Sequence, residues 1–138
     1  MRYLAGVLLF KIGFTIALCV GLLLLPTSLL EKAGFPTFPS SIFLRLLGMA
    51  YGALLTGYVF GFVHTLHGRY PRDTVWTGIV SNGGAFFILS IGAFQGTWTA
   101  WGSLARIAMW ASLLATGLIS AGLIVFGPYR RHWPPPFP

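Results

Sequence analysis

The sequence predicts an all-α integral membrane protein, a four-helix bundle running up-down-up-down with both termini in the cytoplasm. Three observations carry this. Of the 138 residues, 56% are hydrophobic and 8% charged, with a mean hydropathy of +0.80; a water-facing surface normally needs about 25% charged residues. Four apolar stretches, about 3–25, 42–66, 74–95 and 102–126, each reach the ~20 residues that cross a ~30 Å hydrocarbon core. Arg2, Arg69, Arg72, Arg130 and Arg131 fall on one side, while only Lys32 lies in a loop on the other, so the positive-inside rule places both termini inside. The four stretches nearly use up the chain. One transmembrane domain over 1–138 is expected, with no room for a soluble catalytic domain.

The opening MRYLAGVLLFKIGFTIALCVGLLLLP has the charge-then-apolar order of a signal peptide. Its apolar part is too long, Lys11 interrupts it and no small-residue cleavage site follows, so an uncleaved first helix ending near Pro26 is expected. Gly13, Ala17 and Gly21 lie four apart, a face that lets a neighbouring helix come close. Cys19 is the single cysteine, without a disulfide partner or metal-ligand spacing, and reads as a small hydrophobe. In the linker TSLLEKAGFPTFPSS, Gly34, Pro36 and Pro39 break regular structure, and its Leu and Phe residues keep it along the membrane surface.

Ser40 or Ser41 caps the second helix. Gly48 and Gly52 form one G-x-x-x-G pair there, and Gly57 and Gly61 another with Ala53 in step, which predicts close helix packing. At ~100° per residue, Ala50, Ala53, Gly57, Gly61 and His64 share one arc, so His64 is expected in the packed interface. Tyr51 and Tyr58 share another face. The turn HGRYPRD is basic, with Asp73 as the expected cap of the third helix. Ser81-Asn82-Gly83-Gly84 predicts a kink or local unwinding inside that helix. QGTWTAWG brings Trp98 and Trp101 to the opposite interface, and the fourth helix carries Ser112, Thr116 and Ser120 at four-residue spacing. The tail 127–138, rich in Pro, reads as extended polyproline-like chain.

A net charge of +7 suggests nucleic acid, but the cations sit at helix ends rather than in a patch. Arg45, Arg106, Arg69, Arg72, Arg130 and Arg131 are read as headgroup or interface anchors, and no nucleic-acid partner is expected. Glu31 would pair with Arg45 or Arg106, and lipid phosphate would take the other.

At 1.5 Å per residue, Lys11 lies about 12 Å from the inner end of its helix, level with Tyr58, Asn82 and Thr116 or Ser120. An ionisable group at that depth faces the bundle or a wet cavity and marks a candidate site. The expectation is that Lys11 snorkels to the inner headgroups; the alternative is a pocket for a quinone or a lipid headgroup. His64-Thr65-Leu66-His67 lacks a second ligand on a facing helix, which excludes a bis-His haem within one protomer. His64 alone would suffice for the magnesium of a chlorophyll-type pigment, though a hydrogen-bonded helix-end His is the plainer reading. No metal site is expected. The only carboxylates, Glu31 and Asp73, lie at interfaces, which argues against proton-coupled transport, and no nucleophile–base pair or phosphate loop points to an autonomous enzyme.

Four helices in this length, with the second reading Pro39…Phe43-Leu44-Arg45-Leu46-Leu47-Gly48…Gly57-Tyr58, resemble the DoxX-like group of small bacterial membrane proteins. What the resemblance implies is that some members are subunits of quinone-linked oxidoreductases, while many have no assigned role. The chain departs from the group by lacking an acidic residue in its second helix and by carrying Lys11 in its first. The expected function is a non-catalytic accessory or structural subunit of a bacterial inner-membrane complex, with membrane lipids and other subunits or a second copy as partners. A quinone- or pigment-binding redox or photosynthetic subunit is the alternative, and a small-solute transporter a further one.

Overall fold

The computed structural model describes residues 2–38 and 40–129. Helices α1 (Arg2–Leu24), α3 (Ser41–Leu66), α4 (Arg72–Phe94) and α5 (Ser103–Ile124) form a helical bundle, with a short α2 (Thr27–Lys32) in the first linker and no strand among the described residues. All four long helices have the length and apolar composition to cross a membrane, the makeup of a multi-pass membrane protein. A π-helical turn, Val125–Tyr129, extends α5. Residues 127–129 are therefore helical rather than extended, and 130–138, with Arg130 and Arg131, lie outside the described residues.

Helix α1 stops two residues short of Pro26, whose ring cannot continue a helix. Its last carbonyls are taken by a side chain from α3: Arg45 donates from Nη1 to Leu22 O at 2.7 Å and from Nη2 to Leu25 O at 2.9 Å. In lipid those carbonyls have no water to turn to, and a cation suits the negative end of the helix dipole. Gly48 sits one turn along, where a Cβ would lie 2.8 Å from Leu23 Cγ. Cys19 donates its thiol to Gly48 O at 3.3 Å in the same seam. Arg45 is thus engaged with backbone at the end of α1 rather than with Glu31.

Helices α4 and α5 make the other close pair. A Cβ on Gly78 would meet Leu123 Cδ1 at 2.5 Å, and one on Gly117 would meet Phe86 Cε2 at 2.9 Å. The two pairs share a core of Leu4 and Leu8 from α1, Tyr58 from α3, Val75 from α4, and Ile119 and Leu123 from α5. That core lies in the half of the bundle holding the start of α1 and the end of α5. At the other end the linkers bind each other: Gly102 N donates to Gly34 O at 2.9 Å and Ala105 N to Ala33 O at 3.1 Å. The linker carbonyls so satisfy amides that the first turn of α5 leaves open. Gly34 has φ +90°, a conformation that favours glycine, and a Cβ there would overlap the Gly102 backbone. Trp98 is buried edge-on to Trp110 at 5.8 Å, and Trp101 packs on Phe35 at 5.9 Å.

Several expectations change. Ser40 is the cap of α3, accepting from Ile42 N at 3.3 Å. Pro71, not Asp73, precedes α4, and Asp73 sits inside its first turn. Helix α4 runs unbroken through Ser81-Asn82-Gly83-Gly84. Ser81 and Asn82 both donate to Gly78 O, at 3.3 and 2.6 Å, so the polar side chains fold back onto their own helix instead of prying it open.

The small-residue arc of α3 is also turned from its expected direction. Gly48 and Gly61 are buried, Gly61 tightly against Thr74, and Gly52 meets Cys19 Sγ at 3.6 Å. Ala53, Gly57 and His64 are exposed, and among the described residues nothing lies within 4 Å of a Cβ built on Gly57. Tyr58 decides the rotation. Its ring offers more contact than a bare Gly57 surface, and its hydroxyl needs a partner inside lipid, so Tyr58 faces inward and its neighbours 100° away face out. On α1, likewise, nothing among the described residues lies within 4 Å of a Cβ on Gly13, and Ala17 is exposed.

Candidate functional site

The most polar buried point of the bundle is the layer formed by Lys11, Tyr58, Ser81 and Asn82. Lys11 is 4% exposed, and its ammonium donates to Asn82 Oδ1 at 2.7 Å. It also stands 5.1 Å from the centre of the Tyr58 ring, within range of a cation–π contact. Tyr58 OH and Ser81 Oγ are 2.8 Å apart, and Asn82 Nδ2 lies 3.3 Å from Ser81 Oγ. Lys11 does not snorkel. Three helices thereby meet through one connected polar network: α1 by Lys11, α3 by Tyr58, and α4 by Ser81 and Asn82.

The local sequence explains each placement. Thr15, one turn after Lys11, donates to Lys11 O at 2.8 Å and so satisfies its hydroxyl without leaving α1. Asn82 Nδ2 bonds Gly78 O, which fixes the amide with its oxygen toward Lys11. Gly78, on the same face as Asn82, leaves room for Leu123 and for the Tyr58 ring 3.5 Å from where its Cβ would be. Lysine supplies three N–H donors, of which Asn82 accepts one. Both carboxylates of the chain, Glu31 and Asp73, are exposed elsewhere, so the ammonium faces neutral acceptors and an aromatic ring.

The α5 members of the expected layer stand apart. Thr116 donates to Ser112 O at 2.8 Å and lies 3.0 Å from Leu113 O, which ties it to its own helix. Ser120 Oγ is buried without a hydrogen-bond partner among the described residues, 3.7 Å from where a Gly83 Cβ would be. His64 is exposed on the surface of α3, not in the packed interface. Arg69, Arg72 and Arg106 are exposed. Among the described residues no group of three or more His, Cys, Asp and Glu could hold a metal ion. Ser81 is the site residue that depth reckoning missed; its position beside Asn82 was the available signal.

Chemically, the layer presents a fixed ammonium in a low-dielectric interior, oriented by an amide that is itself held by backbone. Such a group binds a carbonyl or anionic oxygen strongly, because little water competes. The chain matches no family model, no curated protein and no solved structure. What the fold and the site define is a class: a helical, multi-pass membrane protein with an internal cationic polar layer.

Proposed function

We propose that the protein is a non-catalytic accessory subunit of a bacterial inner-membrane complex, a DoxX-like bundle of alternating helices with both termini in the cytoplasm. The observation that carries this reading is the open small-residue surface of α1 and α3. A Cβ on Gly13 or Gly57 would meet nothing within 4 Å among the described residues, and Ala53 is exposed. Small residues let helix backbones approach in lipid, where packing and hydrogen bonds rather than hydrophobic force drive association. Inside the chain Gly57 gives only its carbonyl, which accepts from Thr74 Oγ1 at 3.4 Å, and leaves its outer face open to a helix of another subunit. Purification in a mild detergent, with mass spectrometry of retained proteins, tests it. Wild type should hold a membrane protein that Gly57→Leu and Gly13→Leu lose while remaining folded; a lone wild-type chain would end the proposal.

The Lys11 layer favours a second reading, a quinone-binding redox subunit. A buried ammonium with N–H donors beyond the one given to Asn82 suits a quinone carbonyl. Solvent extraction of the purified protein tests this: a quinone present in wild type and lost in Lys11→Met supports it, and its absence from wild type rejects it.

A further inference from the structure

At the end of the bundle away from the Lys11 layer, Ala17 and Gly21 of α1, Leu44 of α3, Ala108 of α5 and Phe35 and Phe38 of the linker enclose a cleft of about 230 Å³. Ala17 remains exposed on its wall, so the cleft opens to the surface of the bundle. Ser112 brings the only hydroxyl. An ordered water needs about two to four polar partners, so water does not fill this space. An empty cleft forfeits the dispersion contacts of its lining. In a bilayer the available filling is hydrocarbon.

The rim adds a charge. Arg45 follows the wall residue Leu44 and donates to the carbonyl of Leu22, another wall residue. Its second bond, to Leu25 O, fixes the guanidinium plane. Guanidinium carries five N–H donors, and those not given to the carbonyls match the oxygens of a phosphate. This end of the bundle carries Lys32, Arg45 and Arg106 against the single carboxylate of Glu31. The excess of positive charge selects an anionic headgroup over a zwitterionic one.

We propose that the cleft is a binding site for an anionic glycerophospholipid, one acyl chain lying against Ala17, Phe35 and Phe38 and the phosphate on Arg45. The cleft is built by the linker. Phe35 is held on Trp101, and Ala33 and Gly34 are bonded to the start of α5, so the linker is a fixed wall rather than a loose cover.

The test is native mass spectrometry of the protein equilibrated in micelles with equimolar phosphatidylglycerol and phosphatidylethanolamine. Wild type should retain one phosphatidylglycerol with about tenfold preference, because both lipids offer the phosphate and only phosphatidylethanolamine brings an ammonium to this positively charged rim. Ala17→Phe fills the cleft and should lose that lipid while keeping the Arg45 bonds to α1. Arg45→Gln should lower the preference clearly below that of wild type, and Arg69→Gln, at the opposite end, should leave it unchanged. Equal retention of the two lipids by wild type overturns the proposal. So does undiminished phosphatidylglycerol binding in both Ala17→Phe and Arg45→Gln, or a cleft occupied by a quinone or prenyl phosphate.

Discussion

Lys11 and Asn82 lie 71 residues apart in sequence and 2.7 Å apart in space, an ammonium hydrogen-bonded to a neutral amide at the meeting of α1 and α4. The pair is unequal. Asn82 Nδ2 also holds Gly78 O, whereas no carboxylate among the described residues faces Lys11, which relies on Asn82 and the Tyr58 ring. A buried charge stripped of its partner is more damaging than a pair removed whole.

That asymmetry predicts an order of stabilities. Asn82→Leu, which strands the ammonium, should destabilise by about 1.5–3 kcal/mol, the range for hydrogen bonds to charged groups. Lys11→Met, close in volume and uncharged, should destabilise less, and the double variant should be no worse than Asn82→Leu alone. Equilibrium unfolding in mixed micelles measures all three. If Lys11→Met proves the more damaging single change, the layer is not limited by the buried charge.

Ser120 should tolerate loss of its hydroxyl. Its Oγ is buried with no partner among the described residues, and an unsatisfied buried polar group costs about 1–3 kcal/mol. Ser120→Ala is therefore expected to raise stability by roughly 1 kcal/mol in the same assay. A loss of stability would mean that the hydroxyl has a partner, such as water, in the membrane.

The two glycines of the second G-x-x-x-G pair should differ sharply. Leucine at Gly61 collides with Thr74, and overpacking typically costs ~1–3 kcal/mol, more where backbones already touch. Leucine at Gly57 points into open space and should leave the fold intact. Size-exclusion profiles and thermal stability of the two variants decide this; similar damage from both would contradict the observed rotation of α3.

Orientation is tested by single cysteines on a Cys19→Ala background. Thr99 and His67 lie at opposite ends of the bundle and are both exposed. They are better sites than the neighbouring Gly96 and Gly68, whose φ of +66° and +74° a cysteine would adopt only with strain. A membrane-impermeant thiol reagent added outside should label Thr99→Cys and spare His67→Cys. The opposite pattern would place both termini outside.

The sequence by itself determined the element list, because crossing a bilayer requires about twenty apolar residues and hydrogen bonds closed within the segment. Each of the four stretches became a helix within a few residues of its expected ends, and Pro26 and Ser40 marked the boundaries they suggested. The rise per residue also put Lys11, Tyr58 and Asn82 at one depth. Depth is a local property and can be counted along one chain. Rotation about the helix axis is not. All four helices are apolar on most sides, so no polar face told Gly57 from Tyr58, Thr116 from Ser120, or inside from outside at His64. Those choices were made only when the helices packed. The Tyr58 hydroxyl found Ser81, the Lys11 ammonium found Asn82, and Arg45 found the last carbonyls of α1, since in lipid a polar group must take its partner from another part of the protein.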